Sequence, residues 1–140
     1  MRLTEDEMWQ RLQAAAREAL TRAYCPYSNY PVGAAGMTDE GRTVVGANVE
    51  NAAYGVTLCA ECSMVSELHR VGGGSLRAVV CVDRDGAVIT PCGRCRQLLY
   101  EHRGPELEVL TREGALTIDE MLPLAFGPRD LGLDVGPDAD

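Results

Sequence analysis

At 140 residues the chain is long enough for one domain with a sizeable core and too short for two ordinary ones. Its 46% hydrophobic content fits a globular protein, and no apolar run is long enough to span a bilayer, so no membrane partner is expected. A formal net charge of −8 with no cluster of Lys or Arg weighs against a nucleic acid polymer as partner and suits a small, uncharged ligand.

The N-terminus, Met1 to Asp6, turns acidic at once and lacks a signal-peptide core, so a cytoplasmic location is expected. In that setting the six cysteines read as reduced thiols or metal ligands before disulfides. Thr4-x-x-Glu7 is a capping box that starts a helix. Trp9, Leu12, Ala16, Ala19, Leu20 and Ala23 recur on one face of it, and Pro26 predicts its end near Tyr24. The loop from Cys25 to Pro31 is rich in tyrosine. Val32–Met37 and Thr43–Asn48 read as strands joined by a turn over Thr38–Arg42. After a polar connection, a second helix is predicted over Cys59–Val71, stopped by Gly72-Gly73-Gly74. Those glycines follow a helix and precede no Gly-Lys-Ser/Thr, which argues against a phosphate cradle.

Leu76–Val82 is a near-continuous apolar run, the pattern of a strand buried on both faces. Asp83–Gly86 turns the chain, and Ala87–Ile89 is expected to extend that strand. A third helix is predicted over Gly93–His102, a short strand over Glu108–Thr111, and a turn at Arg112–Gly114. Thr117-x-x-Glu120 caps a last short helix, limited by Pro123. Residues 1–131 form the expected single domain, and 132–140 an acidic, flexible tail. Helices between strands imply crossovers, hence an α/β fold whose partly parallel sheet is covered by helices. Such sheets carry their sites beyond the strand ends, at helix starts.

Both chemistry-bearing stretches fall at predicted helix starts: Cys59-Ala60-Glu61-Cys62 and Pro91-Cys92-Gly93-Arg94-Cys95. Three thiolates can hold one Zn²⁺ and leave a coordination position open for water, which the metal makes easier to deprotonate. Glu61, beside that position, is placed to shuttle the proton. The site would still carry net negative charge, which helix N-termini and a donor such as Arg94, Arg96 or Gln97 can offset. Spacing does not say which of the three points inward. Cys59-x-x-Cys62 with Cys92-x-x-Cys95 also makes a formal Cys₄ set, the pattern of a closed structural zinc, and a redox CxxC is a weaker alternative. Against a zinc ribbon stands the long interval from Cys62 to Cys92. Cys25 and Cys81 read as small, partly or fully buried residues, and His69 and His102 as ordinary helix residues.

Cys-x-Glu followed by Pro-Cys-x-x-Cys matches the zinc nucleobase deaminase signature. Over nearly its whole length the chain resembles the small homotetrameric cytidine deaminases. That resemblance rests on Ala23–Ser28, Val32–Ala35, Gly46–Tyr54, Cys59–Glu61, Pro91–Gln97 and Leu122–Phe126. It implies a three-layer α/β/α fold with a mixed five-stranded sheet. It also implies Zn²⁺ held by Cys59, Cys92 and Cys95, with Glu61 as proton shuttle. Asn48 and Glu50 would bind the ribose 3′-hydroxyl, Tyr30 would pack near the base, and the Ala60 N–H would meet the pyrimidine carbonyl. Ala52, Tyr54 and Phe126 would complete a neighbouring subunit's site in a homotetramer. One departure stands out: many members carry Arg after the catalytic Glu, where this chain has Cys62.

The activity so implied is hydrolytic deamination of cytidine and 2′-deoxycytidine to the uridines and ammonia, in pyrimidine salvage. The alternatives are a deaminase of another aminopyrimidine nucleoside, of the blasticidin S type, and a non-catalytic Cys₄ zinc-stabilised interaction protein.

Overall fold

The computed structural model describes residues 2–139. The chain opens with helix α1 (Glu5–Leu20) and a hairpin of strands β1 (Gly33–Thr38) and β2 (Thr43–Ala47). Helix α2 (Ala60–Arg70), strand β3 (Leu76–Val82), the two-residue strand β4 (Val88–Ile89) and helix α3 (Gly93–Glu101) follow. Strands β5 (Arg103–Thr111) and β6 (Gly114–Thr117) and the short helix α4 (Ile118–Met121) come last. The sheet order is β2-β1-β3-β5-β6, with β4 paired to β3 off this path. Only β3 and β5 run parallel, joined through α3; the other pairs are antiparallel. The result is the expected mixed α/β sheet.

The layers follow from side-chain alternation. In a strand, successive residues face opposite sides. Ala35, Met37, Ala78, Val80 and Val82 therefore meet Met8, Trp9, Leu12 and Ala16 of α1. Their neighbours Ala34, Val79 and Cys81 face the other way, into a core with Met64 and Leu68 of α2 and Leu99 of α3. β3 lies between the two cores and is buried almost throughout, which explains its unbroken apolar run. Two glycines let helices approach the sheet closely. A Cβ on Gly33 would strike the Ala16 carbonyl, and one on Gly46 would strike the Ala60 carbonyl and the Met64 amide.

Thr4 and Glu7 form the predicted capping box: Thr4 Oγ1 accepts from the Glu7 N–H at 3.2 Å, and Glu7 accepts from the Thr4 N–H at 2.9 Å. α1 ends at Leu20, four residues short of Tyr24, because Tyr24 is drawn into a bridge with Val49. The Tyr24 N–H donates to the Asn48 carbonyl and its own carbonyl accepts from the Glu50 N–H. Val88 and Ile89 do not extend β3. The turn over Asp83–Gly86 folds them back antiparallel onto Val82 and Cys81. β5 begins five residues earlier than Glu108, because the chain joins the sheet at the Leu76–Arg103 pair. β6 is an addition: the short run between its turn and the Thr117 cap pairs with β5.

The segment read as a flexible tail carries a turn of 3₁₀ helix over Gly136–Asp138. Asp138 is buried and pairs with Arg103 at 3.0 Å. No helix among the described residues is long and apolar enough to cross a membrane.

Candidate metal centre

Two helix starts converge here. Cys59 is the N-cap of α2 and Cys92 the N-cap of α3, both in extended backbone, and Cys95 lies in the first turn of α3. Pro91 fixes its own φ and favours extended geometry at Thr90, so the chain enters α3 with Cys92 at the cap. The Cys92 carbonyl accepts the first intrahelical bond from Arg96 at 3.0 Å, and the Cys59 carbonyl accepts from Cys62 at 3.0 Å. The sulfurs of Cys59, Cys92 and Cys95 all lie within 4.8 Å of one another. This is an all-thiolate donor set of the kind that selects zinc, and as a triad it leaves a fourth corner free. Cys62 is outside the triad, which removes the geometric basis for a closed Cys₄ site.

As free thiols the three differ. Burial pushes Cys59 up, partly offset by a hydrogen bond with Cys95. Burial also pushes Cys95 well up, reinforced by the charge of Glu61. At Cys92, burial is outweighed by hydrogen bonds from the Cys95 backbone N–H and the neighbouring thiols, which hold it below the usual range. Cys92 is the exposed member of the set and Cys95 the buried one. A cation between such sulfurs removes the cost of crowding their charges, and binding it releases their protons.

Glu61 is the second residue of α2 and only 4% exposed. It lines a cavity of about 210 Å³ with Cys59, Ala60, Cys92, Asn48, Thr57 and Pro91. Cys81 closes the floor of that cavity and is fully buried; burial and the neighbouring Glu61 carboxylate push its thiol far up, so it stays protonated. Ala60, the first residue of α2, carries an N–H that no turn of its own helix can satisfy.

Asn48 ends β2 and braces the tyrosine loop. Its Oδ1 accepts from the Val32 N–H at 2.9 Å and its Nδ2 donates to the Tyr30 carbonyl at 2.9 Å. Glu50 accepts from the Tyr27 and Ser28 N–H groups, each at 3.0 Å, and from the Ser28 hydroxyl. The Ser28 hydroxyl and these N–H groups hold its carboxyl below the usual glutamate range. Glu50, Tyr27, Ser28, Asn51, Tyr54 and Thr57 line a second cavity, of about 320 Å³. Thr57 is common to both cavities.

Three predicted contacts stand apart from these cavities. The Tyr30 side chain is half exposed and lines neither, although its carbonyl receives Asn48. Ala52 is exposed in the connection. Phe126 is 58% exposed, and its carbonyl accepts from Gln97 Nε2 at 2.8 Å. Among the three candidate donors of the second cysteine stretch, Arg96 points away from the sulfurs, to the Pro91 and Met121 carbonyls at 3.0 and 3.1 Å. Only Arg94 faces a thiol, that of Cys62. The contributions of Ser28, Thr57 and Cys81 lay outside sequence reasoning, because none sits in a spaced pattern and each arrives from a different element.

Comparison with known proteins agrees with this geometry. Residues 6–111 match the family model described as the cytidine and deoxycytidylate deaminase zinc-binding region. The chain is 51% identical over 126 residues to a cytidine deaminase of Mycobacterium tuberculosis H37Rv, covering 90% of this chain and 95% of that one. It is 36% identical over 127 residues to a cytidine deaminase of Sporosarcina psychrophila, covering 87% and 93% respectively. The crystal structure of cytidine deaminase from Mycobacterium leprae superposes with a TM-score of 0.80 at 57% identity, covering 82% of this chain and 97% of that one.

Proposed function

The chain belongs to the family of the cytidine and deoxycytidylate deaminase zinc-binding region, and from that premise we propose that it hydrolyses cytidine and 2′-deoxycytidine to the uridines and ammonia. The observation that carries this reading is the sulfur triad at two helix starts with buried Glu61 in the same cavity. Bound to Cys59, Cys92 and Cys95, zinc would supply Lewis acidity that lowers the pKa of water at the free corner.

The residues of the chain do the rest. Glu61 takes a proton from the attacking water and delivers it to N3 of the pyrimidine, then takes the second proton from the new C4 hydroxyl and delivers it to the departing amino nitrogen. Water's oxygen ends on C4 and the amino group leaves as ammonia, so atoms and charge balance. The Ala60 N–H, aligned with the positive end of α2, binds the pyrimidine carbonyl. Asn48 and Glu50 hold the ribose 3′-hydroxyl. Asn48 uses one donor and one acceptor on the loop and keeps one of each. Glu50 accepts three bonds and has about one lone-pair site left. The Tyr30 side chain, half exposed and outside both cavities, packs near the base only by turning inward.

Exposed Tyr54, at 75%, and Phe126 suit burial against another copy of the chain. With Ala52 they complete a neighbour's site in a homotetramer.

The test follows absorbance as cytidine becomes uridine, for wild type and Glu61→Gln, with zinc assayed in both. Turnover by wild type and a loss of about 10³-fold or more in zinc-loaded Glu61→Gln is expected. Equal rates, or an inert wild type that holds zinc, would overturn the reading. Sedimentation velocity reads the tetramer.

A further inference from the structure

We infer that His69 and His102 form a second metal position, separate from the sulfur triad, which takes a divalent transition-metal ion of the zinc class between the far ends of α2 and α3. The inference goes beyond the deaminase reading and does not depend on it.

These are the only two histidines of the chain, and the fold brings them together across 33 residues. Each reads alone as an ordinary helix residue; the tertiary structure makes them a pair. His69 lies in the last turn of α2 and His102 is the C-cap of α3. His69 Nε2 stands 3.4 Å from His102 Nδ1, and the ring planes are inclined at 72°, so the rings do not stack. Zinc–nitrogen bonds of about 2.0–2.1 Å set two ligands of one tetrahedral ion about 3.4 Å apart. The two nitrogens already stand at the separation that one ion spans. Without an ion, one of them donates a hydrogen bond to the other. Neutral imidazole carries its proton on either nitrogen, so moving that proton to the far nitrogen of the same ring leaves both lone pairs for the ion and the charge of the protein unchanged. His69 is exposed and His102 partly buried, so water can reach the remaining coordination positions.

The surroundings favour a cation. α2 and α3 both end here, on the partially negative side of their dipoles, whereas their starts hold the sulfur triad. The backbone at both rings is held: the His102 carbonyl accepts from the Leu76 N–H at 2.9 Å, and the Leu68 carbonyl accepts from the Gly73 N–H at 2.8 Å. Of the arginines at this end, Arg70 is paired with Glu67 at 2.7 Å, and Arg42 donates to the Val71 and Gly73 carbonyls at 3.0 and 2.6 Å. Their charge weakens the site without occupying it. An ion on both rings would tie together the far ends of the same two helices whose starts meet at the triad.

Full-length, untagged protein already loaded with one zinc per chain is titrated with further Zn²⁺ by calorimetry, beside His69→Gln and His102→Gln. The histidine ring signals are followed by ¹H–¹⁵N spectroscopy, each assigned by the variant that lacks it. Wild type is expected to bind one further ion per chain, with both rings shifting together, and to melt at a higher temperature when that ion is present. Either substitution should weaken this binding by more than about 10-fold and remove the thermal shift. His69 is exposed at a helix end, so His69→Gln keeps the fold and decides the matter even where His102→Gln does not fold. No further ion bound at millimolar zinc overturns the inference. So does a shift confined to one ring, or an affinity equal in wild type and His69→Gln, which would mean adventitious binding elsewhere. Cytidine turnover is not read in this experiment, so failure of the inference and failure of the proposed function remain distinguishable.

Discussion

Asn48 holds Val32 and Tyr30 at once: its amide oxygen takes the Val32 N–H and its amide nitrogen reaches the Tyr30 carbonyl, each at 2.9 Å. One side chain at the end of β2 thereby fixes the loop that enters β1. Removing it leaves two backbone groups without partners beside the metal-centre cavity, a loss of about 1–3 kcal/mol. Asn48→Ala should lower stability by that amount in urea titration and raise KM for cytidine more than it lowers kcat. Asn48→Asp keeps the acceptor for Val32 but sets a second acceptor against the Tyr30 carbonyl, and should lose at least as much stability.

Glu50 ties the same loop by charge. Its folded pKa lies below the ordinary value because the Ser28 hydroxyl and the Ser28 and Tyr27 N–H groups favour the carboxylate. A depressed carboxyl pKa contributes stability above the unfolded pKa, and that contribution disappears as pH falls through the folded pKa. Thermal melts between about pH 7 and about pH 3 should show wild type losing this increment on acidification, while Glu50→Gln shows none of it. A difference between the two that stays constant with pH would contradict the assignment.

Gly46 is the contact point between β2 and the helix that carries Glu61. A methyl group there would meet the Ala60 carbonyl, the Met64 amide and Ser63 Cβ, all but the last of them backbone that cannot rotate away. Gly46→Ala should cost about 1–3 kcal/mol and displace the start of α2. Because Cys59 caps that helix, zinc stoichiometry after chelator challenge should fall with stability, and metal analysis alongside the melt checks both.

Asp138 and Arg103 pair at 3.0 Å with side chains only 7% and 17% exposed, and Arg103 also stacks on the Tyr100 ring at 3.7 Å. Cutting a largely desolvated, hydrogen-bonded charge pair costs more than cutting an exposed one such as Glu67–Arg70. Asp138→Ala is expected to destabilise by about 2 kcal/mol, and removal of residues 132–140 by a similar amount, with Glu67→Ala nearly silent. Chemical denaturation of the three variants measures the contrast.

Sequence alone determined what local rules govern. The capping boxes at Thr4 and Thr117, the buried run of β3 and the helices over 60–70 and 93–101 follow from periodicity and cap chemistry. The ligand types and their spacing named a zinc centre, because two thiols three residues apart at a helix start face one side. Only the tertiary structure decided which groups meet. Spacing leaves four thiols of equal chemistry, and although the family resemblance singles out Cys59, Cys92 and Cys95, it is the crossing of α2 and α3 that brings those three sulfurs together with Cys62 outside. The tertiary structure turned Arg94 toward Cys62 and Arg96 toward the Pro91 carbonyl, although the two lie two residues apart. It stopped α1 at Leu20 by pairing Tyr24 with Val49, and joined Asp138 to Arg103 across 35 residues of chain. Each of these outcomes is a contact between segments distant in sequence, where the gain of burial and hydrogen bonding outweighs a local preference that periodicity alone can read.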